Sequence, residues 1–272
     1  MNLIDFDIHF TGYLNDWIEA NRARFKRTED MEHEVPDVYI RFLNTPQEWL
    51  QGATPGTYFD RWSDAAQLCQ MLKDYIANAI PMPDPLLDRI VDLGDEQTVL
   101  TLVSDKSAAL EARMHAIDLL RQMDSSLPMV EYIRWQVIRD EHEDLLDNAL
   151  ESLRGMGSGV RGAAKIAFTA ADLEGKEALL DVLCDYPGDA DVFCFALEQF
   201  KKQDDKRALF ASYLAKLDDD HALEALYEAA ESEDITYIDF IEVRSAIERL
   251  GGDMPYRDFS NDPTFIATRQ LQ

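Results

Sequence analysis

The chain has 272 residues, 46% hydrophobic and 29% charged, enough apolar material for one large or two medium packed domains. Its 26 basic residues face 53 acidic ones, giving a formal net charge of −27 and a sequence pI near 4.4. Such a charge works against nucleic-acid backbones and anionic membranes as ligands and favours basic proteins or cationic peptides.

The N-terminal stretch Met1–Asp7 has neither a basic region nor a long apolar run, so no signal peptide is expected. Residues 5–25 place Phe6, Phe10, Tyr13, Leu14, Trp17 and Ile18 at helical spacing, which predicts a long amphipathic helix. Arg22, Arg24, Lys26 and Arg27 follow at its C-terminal end, where cations suit the helix dipole. Val35-Pro36-Asp37 opens a second helix through Leu43, with the proline tolerated in a first turn. Residues 45–62 hold two prolines and two glycines and are expected to be irregular. Helix resumes over about 63–80, and the proline cluster Pro81–Pro85 predicts a linker. The expected division is therefore an N-terminal helical cap at 1–83, a repeat array at 84–253, and an extended C-terminal cap or tail at 254–272.

Within the array, an apolar anchor followed by Gly or Asp recurs at Ile90, Leu120, Leu153, Leu183, Leu214 and Leu250. Successive anchors lie 30, 33, 30, 31 and 36 residues apart. A period of that size indicates stacked two-helix units. Ala116-Ile117-Asp118-Leu119-Leu120 matches Ala149-Leu150-Glu151-Ser152-Leu153, and Ala246-Ile247-Glu248-Arg249-Leu250 follows the pattern; the alanine lets a neighbouring helix approach. The Gly or Asp after each anchor reads as a helix stop or the cap of the next helix. Outer helices are expected at Thr98–Val103, Met129–Ile138, Val160–Thr169, Val192–Phe200 and Ala222–Ala230. The fold class read from this pattern is all-α, a right-handed α–α superhelix. Residues 81–272 carry 19 basic and 40 acidic residues, so the array bears most of the negative field.

The stretches Glu111–Leu120 and Glu242–Asp253 resemble the HEAT family, specifically the HEAT-like repeats first described in phycobilisome bilin lyases. In such units an Arg commonly pairs with an Asp of the turn, which the resemblance assigns to Arg113 and Arg244. Trp49-Leu50-Gln51-Gly52-Ala53-Thr54-Pro55-Gly56-Thr57-Tyr58-Phe59 is similar to a stretch shared by a group of bacterial HEAT-repeat proteins. The resemblance implies architecture more than activity, since HEAT-like proteins include scaffolds, lyases and DNA glycosylases. The unit at Leu183 departs from the pattern with Tyr186-Pro187, and the one at Leu214 lacks the Arg.

The chemistry-bearing residues form no recognisable site. The five histidines are scattered and no Gly-x-Ser-x-Gly occurs. Gly155–Gly159 lacks the Gly-Lys-Ser/Thr ending of a phosphate loop. Asp140–Asp144 with Asp147, and likewise Glu32-His33-Glu34 and Asp218–His221, read as solvated acidic turns. Cys69, Cys184 and Cys194 show no CxxC spacing and are expected as reduced thiols of a cytoplasmic protein. No catalytic residue, metal or cofactor is assigned.

The aromatic segment is the exception. Residues 1–62 hold 11 of the 27 aromatic residues and three of the four tryptophans. Trp49, Tyr58, Phe59 and Trp62 sit in or beside the irregular stretch, where recognition residues tend to be mounted. They are the expected partner-binding residues, with a packed cap over the array as the competing reading. The function expected is a non-catalytic protein–protein scaffold whose acidic concave surface takes a basic or amphipathic segment. The alternatives are a HEAT-like enzyme of lyase type and an acidic DNA mimic.

Overall fold

Each stretch with 3.6-residue periodicity forms a helix in the computed structural model, which describes residues 3–25 and 27–270. Met1 and Lys26, named above, lie outside the described residues. The helices are α1 (Phe6–Asn21), α2 (Thr28–Glu32), α3 (Val35–Asn44), α4 (Ala65–Ala77), α5 (Asp84–Leu93), α6 (Glu96–Ser104), α7 (Leu110–Gln122) and α8 (Met129–Ile138). They continue as α9 (Glu143–Gly155), α10 (Gly159–Ala170), α11 (Leu173–Leu183), α12 (Ala190–Lys202), α13 (Arg207–Leu217), α14 (Leu223–Glu231), α15 (Tyr237–Arg249) and α16 (Pro263–Gln270). The protein is all-α, with 73% of it helical and no strand among the described residues. None of the helices is long and apolar enough to cross a membrane.

Left-handed residues end the helices where the Gly/Asp marks fall. Gly94, Asp124, Gly157, Asp218 and Gly251 have φ of 64°, 52°, 61°, 54° and 79°. After α7, Ser125 N–H bonds Leu120 C=O and Asp124 N–H bonds Arg121 C=O, a Schellman closure. After α15 the same pair of bonds runs from Gly252 to Ile247 and from Gly251 to Glu248. Ile247 therefore occupies the place that Leu120 holds in its own unit. Ile247 is fully buried, whereas Leu250 is the half-buried C-cap of α15. The anchor read at Leu250 is thus three residues late, which accounts for its 36-residue spacing. Ile90, Leu120, Leu153, Leu183 and Leu214 are all buried.

A further closure of this type was hidden in the sequence. After α4, Ile80 N–H bonds Tyr75 C=O and Ala79 takes φ 53° without being glycine. An L-residue in this conformation carries a cost of about 1–2 kcal/mol. Ala79→Gly should therefore raise stability by about 1 kcal/mol, and Gly94→Ala should lower it by about 1 kcal/mol. Urea unfolding followed by far-UV circular dichroism reads both. A Cβ at Gly94 meets open space, so that loss would come from backbone strain alone.

The chain divides into two compact units. One runs to Met129 and adds Glu141–Met156; the other comprises Val130–Asp140 and the chain from Gly157 onward. In the first unit α1 packs on α3, α4 on α5, α6 and α7, and α7 on both α5 and α9. Across the contact of α7 with α9, Arg121 donates to Ser152 Oγ at 3.1 Å and Asn148 donates to Asp118 at 3.1 Å, while the matched alanines Ala116 and Ala149 are both fully buried. Pro83 and Pro85 are buried within this unit, and Pro85 sits in the first turn of α5. The proline cluster is thus a packed corner where a linker was expected, and no division of the chain falls there.

In the second unit α12 packs on α13, α13 on α15, and α14 on α15, and Trp135, Leu179, Leu214, Leu226 and Val243 are all fully buried. Gly175 of α11 allows a close approach to α8, because a Cβ there would lie 3.2 Å from Val137 Cα. The C-terminal segment is docked. Phe259 is buried against Phe240 and Tyr237, Tyr227 donates to Asp253 C=O at 2.8 Å, and Arg257 donates to Glu233 C=O at 2.9 Å. Asp262-Pro263 reads in sequence as a helix breaker and proves to be a helix start. Asp262 caps the amides of Thr264 and Phe265, and Pro263 opens α16, where its missing N–H leaves no bond unmade.

Candidate interaction site

The aromatic segment folds as two 3-10 turns, Glu48–Leu50 and Pro55–Arg61, joined by a reversal at Gln51 (φ 57°) and Gly52 (φ 89°). Gln47 holds the reversal closed, accepting from Gly52 N–H and donating its own N–H to Ala53 C=O. Phe6, at the first position of α1, is the hub. Its ring meets Trp49 at 5.6 Å, Tyr58 at 5.8 Å and Phe59 at 5.8 Å, mostly edge to face. His9, one turn along α1, stacks on Trp49 at 3.8 Å with the planes 6° apart.

The four aromatic residues singled out in the sequence do not share one environment. Phe59 is 2% exposed and packs on the Tyr58 and Trp62 rings, so it belongs to the core and can offer nothing to a partner. Its placement corrects its assignment as a contact residue. The 3-10 turn directs position 59 inward against α3 and α5 while its neighbours look outward. Trp49, Tyr58 and Trp62 are half-buried. Arg61 lies over the Tyr58 ring at 4.0 Å and the Trp62 ring at 5.2 Å, and its Nε donates to Tyr58 C=O at 2.9 Å. Arg89 of α5 donates to Trp62 C=O at 3.1 Å and ties the segment to the helix behind it. The result is a half-buried aromatic platform with a guanidinium over two of its rings. Phe6, His9 and Arg61 were not singled out from sequence. Only the 3.6-residue period of Phe6 hinted at a buried face, and nothing local marked which rings it would meet.

The repeat arginines diverge. Arg113 is buried, donates from Nε to Val103 C=O at 2.7 Å, and pairs with Glu141 at 2.8 Å. Lys106 adds a second cation 3.1 Å from the same carboxylate. The partner is thus a glutamate from the turn between α8 and α9, where the resemblance implied an aspartate. Arg244 is half-buried with its guanidinium 3.5 Å from Met254 Sδ, and it makes no ion pair among the described residues.

The acidic runs disperse into separate tasks. Asp140 pairs with Arg134, Glu141 turns in to Arg113, and His142 accepts from Asp144 N–H to cap α9. Asp219, Asp220 and His221 do cluster, with Asp219 accepting from His221 N–H at the head of a 3-10 turn. Hydrogen bonding to Asp219, reinforced by its charge and that of Asp220, raises the His221 imidazole pKa above its ordinary value. Cys69 is buried, and desolvation followed by the Asp95 charge pushes its thiol up to about 11, far from a reactive thiolate.

No family model matches the chain, and no curated protein is similar to it.

The site therefore has to be judged on its own chemistry. Trp49, Tyr58 and Trp62 offer part of their aromatic surface to solvent. Arg61 gives that surface a donor, and the surrounding chain is strongly negative. Such a platform can bury apolar or cationic groups of a partner.

Proposed function

We propose that the chain is a non-catalytic, cytoplasmic scaffold whose helices stack as a HEAT-like solenoid and which binds a basic segment of a partner protein. The observation that carries the reading is the half-open platform of Trp49, Tyr58 and Trp62 on a chain of net charge −27. Solenoid stacking draws support from the recurring left-handed helix stops and from α5–α7–α9 and α13–α15 packing alternate helices side by side. A basic partner is favoured because the chain is strongly negative and lysine or arginine can stack on aromatic rings, which offers both attraction and specificity.

A partner isolated from native lysate at low salt provides the test. Its Kd, measured by calorimetry, should rise about tenfold or more on going from low to roughly physiological salt. Combined Trp49→Ala and Tyr58→Ala substitutions should weaken it by a similar factor with unchanged far-UV circular dichroism. Binding that is insensitive to both salt and the double substitution would remove the proposal.

The DNA-mimic alternative has one observation in its favour. Asp84, Asp88 and Asp92 are exposed at i, i+4 and i+8 along α5, and burial, with the Asp84 and Asp92 charges, raises the Asp88 carboxyl pKa. Competition between this chain and duplex DNA for a DNA-binding partner would mark that reading.

A further inference from the structure

Among the sixteen residues of α1 only Phe6 is buried. The first half of the helix is nonetheless well seated: Phe10 meets Tyr39 at 4.9 Å and Phe42 at 5.4 Å, and Tyr13 meets Phe42 at 5.5 Å. Its second half continues past α3 and is covered less completely. There Leu14 and Ile18, with Met31 of α2 and Val35 of α3, line a cleft of about 490 Å³. That lies inside the range of roughly 300–1,000 Å³ typical of ligand sites. All four apolar residues are half-buried. Glu19, Glu32 and Arg22 form the rim.

The rim says what should enter. Two carboxylates stand on opposite walls, on α1 and α2, and both are solvent-exposed. Asp30 extends the acidic edge along α2, while the Glu29 carboxylate beside it is paired with Arg27. An apolar anchor flanked by cations one turn away would fill the floor and meet both walls, while Arg22 leaves room for a single polar or acidic group at one end. This is the pattern of an amphipathic helix laid in a groove, read through anchors at i, i+3 or i+4, and i+7.

We infer that the α1–α2–α3 cleft is a docking groove for a basic amphipathic helix of a partner protein, with aliphatic anchors on Leu14, Ile18, Met31 and Val35 and lysine or arginine on Glu19 and Glu32. The inference rests on the proposed partner-binding function and gives it a second contact surface, distinct from the platform at Trp49, Tyr58 and Trp62.

The test is a ¹⁵N-NMR titration of the full chain with synthetic helical peptides of about 18 residues. One peptide carries leucine at groove spacing and lysine elsewhere, one replaces the leucines by serine, and one replaces the lysines by glutamate. The leucine–lysine peptide should shift amides of residues 14–22 and 31–35 saturably. The serine and glutamate peptides should leave those amides in place. Glu19→Lys combined with Glu32→Lys, both at exposed positions, should weaken the leucine–lysine peptide at least tenfold, and Ile18→Ala should weaken it more modestly.

Saturable shifts confined to the Trp49–Trp62 segment would discard the groove while leaving the proposed function standing. Equal shifts with the serine peptide would discard it as well, since attraction by net charge alone would then suffice. The absence of saturable binding anywhere would count against both readings.

Discussion

Arg113→Ala is expected to lower the unfolding free energy by about 3–5 kcal/mol, the range for breaking a buried ion pair from one side. Arg113 and Glu141 have side chains only 7% and 4% exposed, so the carboxylate left behind would be a buried charge, with the more exposed Lys106 still 3.1 Å away. The Val103 carbonyl would also lose its 2.7 Å donor. Removing both charges together, as Arg113→Met with Glu141→Leu, should cost much less than the single change, because no unpaired ion is left. Urea unfolding of the three proteins at neutral pH measures both effects. Equal losses for the single and double variants would show that the packing volume of Arg113 matters and its charge does not.

The same pair makes a pH prediction. Burial alone would raise the Glu141 carboxyl, but hydrogen bonds and charge from Arg113 and Lys106 outweigh it and hold the group below the usual carboxylate range. A depressed folded pKa contributes stability that is fully present above the unfolded value, near 4.3. That stability is lost as pH falls through the folded value. The stabilities of the parent protein and Arg113→Ala should therefore converge on acidification. A gap that stayed constant down to the acid transition would contradict the ion-pair account.

Trp135→Ala should be comparably damaging in the other unit, at about 3–5 kcal/mol. Trp135 is fully buried, its ring lies 5.4 Å from Tyr132, and its indole N–H donates to Glu131 at 2.8 Å. Truncation would leave a cavity between α8 and its neighbours and withdraw one donor from a carboxylate that keeps Arg134 at 2.9 Å. Trp135→Phe should recover most of the loss, since it restores the aromatic volume and leaves only the hydrogen bond missing. Trp135 is the one tryptophan beyond residue 62, so its fluorescence in a background of Trp17, Trp49 and Trp62 changed to Phe reports on this unit alone. A loss below about 1 kcal/mol for Trp135→Ala would mean the site collapses around the missing ring.

Local pattern carried most of the helical framework. The apolar period placed α8 at the residues expected, Met129–Ile138, and located α3, α4, α6, α10, α12 and α14 to within a few residues. Such segments are legible because a helix hydrogen-bonds within itself and advertises its buried face at fixed spacing. The glycine and aspartate stops were legible for a related reason: a left-handed residue is needed there, and few side chains tolerate it. Where an ordinary residue accepts that strain, as at Ala79 and Arg139, no letter marks it.

The candidate site was legible only as a concentration of aromatic residues. Composition could not separate Phe59, which fills the core, from Trp49, Tyr58 and Trp62, which stay half-buried. That distinction depends on the hand of a 3-10 turn and on which helices stand behind it. Nor could spacing disclose that Arg113 would meet Glu141, because 28 residues of chain separate them. The sequence by itself determined an acidic all-helical protein, the approximate place of many of its helices and most of its helix stops, all properties settled within a few residues of chain. Only the tertiary structure decided which carboxylate is buried with an arginine, that the C-terminal segment docks through Phe259, and that the second half of α1 is left half-covered beside α2. Those outcomes follow from packing between residues far apart in sequence, and such contacts leave no periodic trace in the order of the amino acids.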